Sequence, residues 1–193
     1  MYCLLLLALV ASVSAGTCPE GVIPVDNFNF ATYASGVWYE VARYPNPFED
    51  GYNCGSATFS RKGSVFSVDY DFVKDHQPIK EHGTVKIAAK GSDKGVVIQT
   101  LPLGAHGALQ AYELNVLAIE YDKYMICYYC KEGGEGLGWI YSREKSLSAY
   151  SKGEVDKFLK KSTVLDADSF MKPQFDSESC RIELKGLVNE TVA

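Results

Sequence analysis

The stretch Gly36-Val37-Trp38-Tyr39-Glu40-Val41-Ala42-Arg43-Tyr44-Pro45 heads a long series of short strand-like segments and decides how the rest of the chain is read. A glycine two residues ahead of a tryptophan lets the backbone turn tightly and then enter a strand. That strand begins with a large ring whose indole N–H needs a partner once it is buried. Near the far end, Trp139-Ile140-Tyr141-Ser142-Arg143 offers a cation that can lie over the indole face. Trp38 and Arg143 are therefore read as structural, joining distant strands rather than touching a ligand.

Working outward, residues 54–61, 64–73, 79–89, 96–101, 108–119, 123–131 and 137–142 are strand-like, and most are separated by short Gly, Asp, Asn or Pro clusters. Hairpin turns require such clusters. With residues 38–44 they make eight strands, enough to close a barrel with room for one small ligand. Residues 151–161 change period, because Val155, Phe158 and Leu159 recur at i, i+3, i+4 among lysines and acids. This spacing predicts one amphipathic helix, apolar stripe inward. The expected fold is all-β: an eight-stranded antiparallel up-and-down barrel with one C-terminal α-helix packed outside.

Residues 4–10 form an apolar run followed by Val13-Ser14-Ala15, the pattern of a secretory leader cleaved after Ala15. The run is too short to span a bilayer, and no later segment approaches the roughly 20 apolar residues a spanning helix needs. Residues 1–15 are thus expected to be a signal peptide, residues 16–184 one barrel domain, and residues 185–193 a tail. The formal net charge is −5 with no basic cluster, which argues against nucleic acid and anionic membrane surfaces. Cys3 leaves with the leader, and Cys18, Cys54, Cys127, Cys130 and Cys180 remain. An odd number in an oxidising compartment predicts two bridges and one spare thiol, without fixing the pairing. A zinc reading of Cys127-x-x-Cys130 lacks a second pair of ligands.

Alternation shows what the barrel holds. In Phe66-Ser67-Val68-Asp69-Tyr70-Asp71-Phe72 one face is apolar and the other polar, so Phe66, Val68, Tyr70 and Phe72 point inward. The same parity turns Val85 and Ile87 inward, and likewise Tyr112 and Leu114 with Glu113 in water. Such a set either packs solid or lines a cavity.

Cys18-Pro19-Glu20, Pro24-Val25-Asp26-Asn27-Phe28, Tyr44-Pro45-Asn46, Cys54-Gly55, Asn115-Val116-Leu117, Tyr128-Tyr129-Cys130-Lys131 and Ser142-Arg143, together with the opening Gly-x-Trp, resemble the lipocalins and in particular their insect biliverdin-binding branch. The resemblance covers essentially the whole mature chain. It implies the pairings Cys18–Cys130 and Cys54–Cys180, each closing a loop worth of order 4 kcal/mol in the chain-entropy model. It places Ala57, Phe59, Gln99, Leu101, Leu103, Tyr129, Leu137 and Trp139 inside. It also implies a secreted carrier in body fluid that holds biliverdin, a linear tetrapyrrole, non-covalently in the barrel mouth as a blue pigment for coloration or storage. Relatives associate through the barrel exterior, so a homo-oligomer is a further expectation. The same cup suits another small hydrophobic ligand: a carotenoid, retinoid, hormone or fatty acid.

A bilin is a conjugated plane with two propionates and several pyrrole N–H groups. Phe48, Phe59, Tyr70, Phe72, Tyr112 and Tyr129 supply rings for stacking. Arg43, Lys80 and Lys131 are candidate rim partners for the propionates, or else ordinary solvated charges. Glu40 shares the parity of Trp38 and either accepts from pyrrole N–H groups inside or sits wet at a bulge. Cys127 shares the parity of Tyr129; an inward thiol either adds to a bilin or is an inert buried cysteine. His76, His82 and His106 fall in or beside loops with no nucleophile placed against them, so no catalytic constellation is read. Asn189-Glu190-Thr191 is a glycosylation sequon in the tail.

Overall fold

The computed structural model describes residues 18–88, 93–102, 108–130 and 134–183. Eight strands follow one another, β1 (Gly36–Arg43), β2 (Asn53–Lys62), β3 (Val65–Lys74), β4 (Gln77–Ile87), β5 (Val96–Leu101), β6 (Gln110–Glu120), β7 (Tyr124–Cys130) and β8 (Gly136–Ser142). Each pairs antiparallel with the next and β8 returns to β1, closing the barrel. Closure leaves no open sheet edge. Strand and helix bounds match the sequence reading to within two residues, and β5 matches it at both ends. A short α1 (Phe30–Tyr33) and a 3₁₀ turn (Ala167–Ser169) were not anticipated, being too short to carry a period.

The helix α2 (Ala149–Leu159) begins at Ser148, whose hydroxyl accepts from the Ser151 N–H at 3.1 Å. Its Val155 and Leu159 are buried against Leu117, Tyr124, Ile126, Tyr128 and Ile140 on the outer wall. This explains β7, which is apolar on both faces: Met125 and Cys127 join the interior, while Tyr124, Ile126 and Tyr128 lie in the outer layer with α2. Among the described residues no helix is long and apolar enough to cross a membrane.

One end of the barrel is sealed by the segment before β1. Gly36 takes a positive φ of 63°, and Trp38 behind it is fully buried. The Trp38 indole N–H donates to the Tyr33 carbonyl at 3.0 Å, and the Arg143 guanidinium lies 3.5 Å over the ring. Arg143 also donates to the carbonyls of Ser35, Val37 and Tyr121 at 2.8–2.9 Å. One side chain thus ties the entry to β1, the β6–β7 turn and the end of β8 together. Tyr33 and Phe28 pack on Phe59, Val68 and their neighbours, so this half of the barrel is solid.

Both bridges are present: Cys18–Cys130, with Cα atoms 5.8 Å apart, and Cys54–Cys180, at 5.7 Å. Cys130 is therefore taken by a bridge, which removes it as a zinc ligand. Cys127 is the free cysteine among the described residues. The leader, the tail with Asn189, and the positions Leu103, His106 and Lys131 lie outside the described residues.

Candidate functional site

The open half of the barrel is organised by an irregularity in β1. Its register against β8 shifts between Glu40, opposite Tyr141, and Ala42, opposite Ile140. Before the bulge Trp38 and Glu40 face inward; after it Ala42 joins the outer core under α2 and Arg43 turns into the barrel. Glu40 and Arg43 therefore meet inside, each only 1% exposed, with Arg43 Nη1 donating to Glu40 Oε1 at 2.5 Å. Arg43 Nη2 donates to the carbonyls of Glu49 and Tyr52, both at 2.8 Å. The guanidinium is thus the anchor of the loop between β1 and β2.

That loop arches over the barrel opening. Asn46 accepts the N–H groups of Phe48 and Glu49 on Oδ1 at 3.1 Å, a local turn, and its amide donates to Glu49 Oε2 at 2.6 Å. The same Glu49 oxygen accepts from Trp139 Nε1 at 3.0 Å. Phe48 and Glu49 are thereby fixed against β8. Glu40 Oε2 and Arg43 Nε are buried without a hydrogen-bond partner. Complete burial, reinforced by the neighbouring Glu49 carboxylate, holds the Glu40 carboxyl well above the usual carboxylate range despite Arg43.

Below the loop is a cavity that opens to solvent at its mouth. Of the residues expected to contact a ligand, Phe48, Tyr70, Phe72, Gln99, Leu101, Tyr112, Leu114, Tyr129 and Trp139 line it, together with Asn46, Glu49, Glu81, Leu137 and Tyr141. At its floor the Tyr70 hydroxyl donates to Gln99 Oε1 at 2.9 Å, and Gln99 Nε2 donates to the Tyr33 hydroxyl at 3.2 Å. Tyr70 and Phe72 lie nearly parallel, 6.1 Å apart, while Tyr112 and Tyr129 meet edge to face at 5.3 Å. Burial raises the phenols of Tyr33, Tyr70 and Tyr141, keeping them neutral donors. Glu81 is also raised, by burial and then by Glu49.

Six residues expected at the cavity are absent from its wall. Ala57, Phe59, Phe66, Val68 and Cys127 point into the barrel but belong to the sealed half, where Phe30 meets Phe66 edge on and Tyr33 packs on Phe59. Strand alternation sorts inside from outside and carries no information on depth along the axis. Glu40 is at a bulge as anticipated, yet it is neither wet nor exposed to a ligand, because Arg43 holds it behind Phe72. Cys127 is fully buried, and desolvation pushes its thiol far above the ordinary cysteine range.

Two rim cations also need correction. Arg43 is buried and committed to Glu40 and the loop carbonyls, and Lys80 points outward from β4, paired with Asp71. His82 pairs with Asp69 at 2.6 Å on the same outer face, and His76 Nδ1 lies 3.3 Å from the Arg181 carbonyl. Glu81 was legible in principle: counting back by twos from Val85 reaches it, through Gly83. Glu49 was not, because its position depends on the loop that Arg43 anchors. Among the described residues no three His, Cys, Asp or Glu side chains are grouped to hold a metal.

The pattern of the lipocalin / cytosolic fatty-acid binding protein family matches residues 35–175, which contain all eight strands and α2. The chain belongs to the lipocalin family. This lipocalin is 34% identical over 192 residues to the bilin-binding protein of Pieris brassicae, covering 94% of this chain and 99% of that one. It is 32% identical over 174 residues to insecticyanin-B of Manduca sexta, covering 86% and 82% of the two chains. The solved structure of insecticyanin from Manduca sexta superposes with a TM-score of 0.77 at 30% identity, over 86% of this chain and 90% of that one.

Proposed function

We propose that this lipocalin is a secreted carrier that holds a bilin, biliverdin in the first instance, non-covalently in the open half of the barrel, and that it performs no catalysis. The observation that carries the reading is the aromatic cup itself, in a chain similar over nearly its full length to a bilin-binding protein. Tyr70, Phe72, Tyr112, Tyr129 and Trp139 offer faces and edges to a conjugated plane. Gln99, Glu49 and the phenols offer acceptors and donors to its pyrrole and lactam groups. Propionates fit best at the mouth, in water.

The separation of Cys127 from the cavity wall supports non-covalent binding. The two bridges and the leader-like N-terminus support secretion into an oxidising body fluid.

The test is a visible titration of ligand-free protein with biliverdin, followed in parallel by quenching of Trp139, which lines the cup. Saturable quenching with a sharpened or shifted red band is the expected result. A linear, unsaturated response would hand the cup to a colourless ligand.

A further inference from the structure

The charged side chains that reach the cavity wall, among the described residues, are both carboxylates, Glu49 and Glu81. The nearest cation, Arg43, is 1% exposed, its Nη atoms are spent on Glu40 and two carbonyls, and it is absent from the wall. Lys80 and His82 face the outside, against Asp71 and Asp69. Glu49 is held by Asn46 and Trp139, with its Oε2 3.9 Å from Arg43 Nε, and the Glu81 carboxyl makes no hydrogen bond or ion pair with another described residue. The remaining polar groups on the wall are neutral: Asn46, Gln99 and the hydroxyls of Tyr70, Tyr112, Tyr129 and Tyr141.

We infer that the cavity is a charge filter: it takes ligands that present an ammonium or an N–H-rich cationic group to Glu49 and Glu81, and it rejects ligands that bury a carboxylate. Burial, and then the Glu49 carboxylate facing it, raise the affinity of Glu81 for a proton, so the two carboxyls oppose each other across the lumen. A cation between them relieves that repulsion, whereas an anionic head adds a third negative charge in a partly desolvated space. Aromatic faces around the site favour a cation further. The inference rests on the proposed reading of this cavity as the ligand site and narrows its ligand class. Fatty-acid carriage, with the head group inside, is excluded, and a bilin enters with its nitrogens toward the glutamates and its propionates outward.

The test uses two probes of the same shape and opposite charge, 2-(naphthalen-2-yl)ethylamine and 3-(naphthalen-2-yl)propionate, titrated calorimetrically into full-length mature protein at neutral pH, with biliverdin as a parallel control. The amine is expected to bind at least tenfold more tightly than the carboxylate. Glu81→Gln should cut that ratio severalfold and Glu81→Lys should reverse it, both with unchanged unfolding curves because Glu81 anchors nothing. Equal affinities, or a tighter carboxylate, overturn the filter and leave the cavity as the ligand site. Biliverdin binding without amine binding overturns the filter as well. Binding of none of the three overturns both readings.

Discussion

Glu40 and Arg43 allow a sharp test of the electrostatics that organise the barrel mouth. Two carboxyls, Glu40 and Glu49, share one guanidinium, and Glu40 is wholly out of water. Its folded pKa is raised, so the folded state holds a proton that the unfolded chain releases above pH ~4.3. A raised carboxyl contributes stability that is present below the unfolded pKa and is lost as pH rises toward the folded one. Between those limits the wild-type protein should lose up to about 1.4 kcal/mol per pH unit relative to a variant lacking this group. Glu40→Gln is that variant: its amide oxygen still accepts from Arg43, and it carries no charge. Urea unfolding followed by tryptophan fluorescence, from pH ~4 upward, should show Glu40→Gln costing less than ~1 kcal/mol at the acid end and gaining on wild type as pH rises. The lowered carboxyls of Glu120, Asp156 and Asp176 lose stability in the opposite sense, as pH falls, but they are common to both proteins and cancel in the difference.

Arg43→Met should behave very differently. It strips the partner from two carboxyls and the donor from two carbonyls, and breaking a buried pair from one side costs about 3–5 kcal/mol. The double variant Glu40→Met with Arg43→Met should recover a large part of that loss, since a buried pair replaced whole by apolar side chains is often neutral. Parallel pH curves for wild type and Glu40→Gln, with a cost of several kcal/mol throughout, would mean that Glu40 is ionised in the fold, and the reasoning would fail.

Arg143→Ala removes the cation over Trp38 and the donors to three carbonyls, and should cost about 3 kcal/mol in chemical denaturation with ligand affinity unchanged. Gly55→Ala places a Cβ 2.8 Å from Phe72 Cε1 and 3.2 Å from Glu40 Cβ, so it should cost about 1–3 kcal/mol and weaken biliverdin binding by tilting Phe72; an unaltered titration would show that the ring has room to move. Cys127 should resist a thiol reagent in native protein and react once on unfolding, and denatured holoprotein should show the bare polypeptide mass. Tyr112→Ala should lower biliverdin affinity with little loss of stability, and Phe59→Ala should do the reverse, costing about 3–5 kcal/mol; equal effects on both readouts would erase the division between cup and sealed half.

The sequence carried the barrel almost whole because period-two alternation is a local property. Phe66 to Phe72 can be sorted without knowing any partner strand, and β7 stands out as doubly apolar because a helix must cover its second face. Depth along the barrel axis is a different kind of quantity. It depends on what fills each end, and here a four-residue helix with no readable period brings Tyr33 down onto Phe59 and leaves Phe59, Val68 and Cys127 beneath solid packing.

The errors at the other end have a single physical origin. One extra residue in β1 reverses the parity of everything after it, so Arg43, read as a rim cation, turns inward and Glu40 is claimed by it rather than by a ligand. Anchored to two carbonyls of its own loop, Arg43 then sets Glu49 on the cavity wall, where no local pattern would have put a carboxylate. The bulge thus exchanges a positive rim for a negative lumen. Were β1 regular from Glu40 through Arg43 at its present length, alternation would turn Arg43 to the outer face, release the loop from its anchor and withdraw Glu49 from the wall. The charge preference of the cup therefore depends on a backbone irregularity as much as on the identity of its side chains.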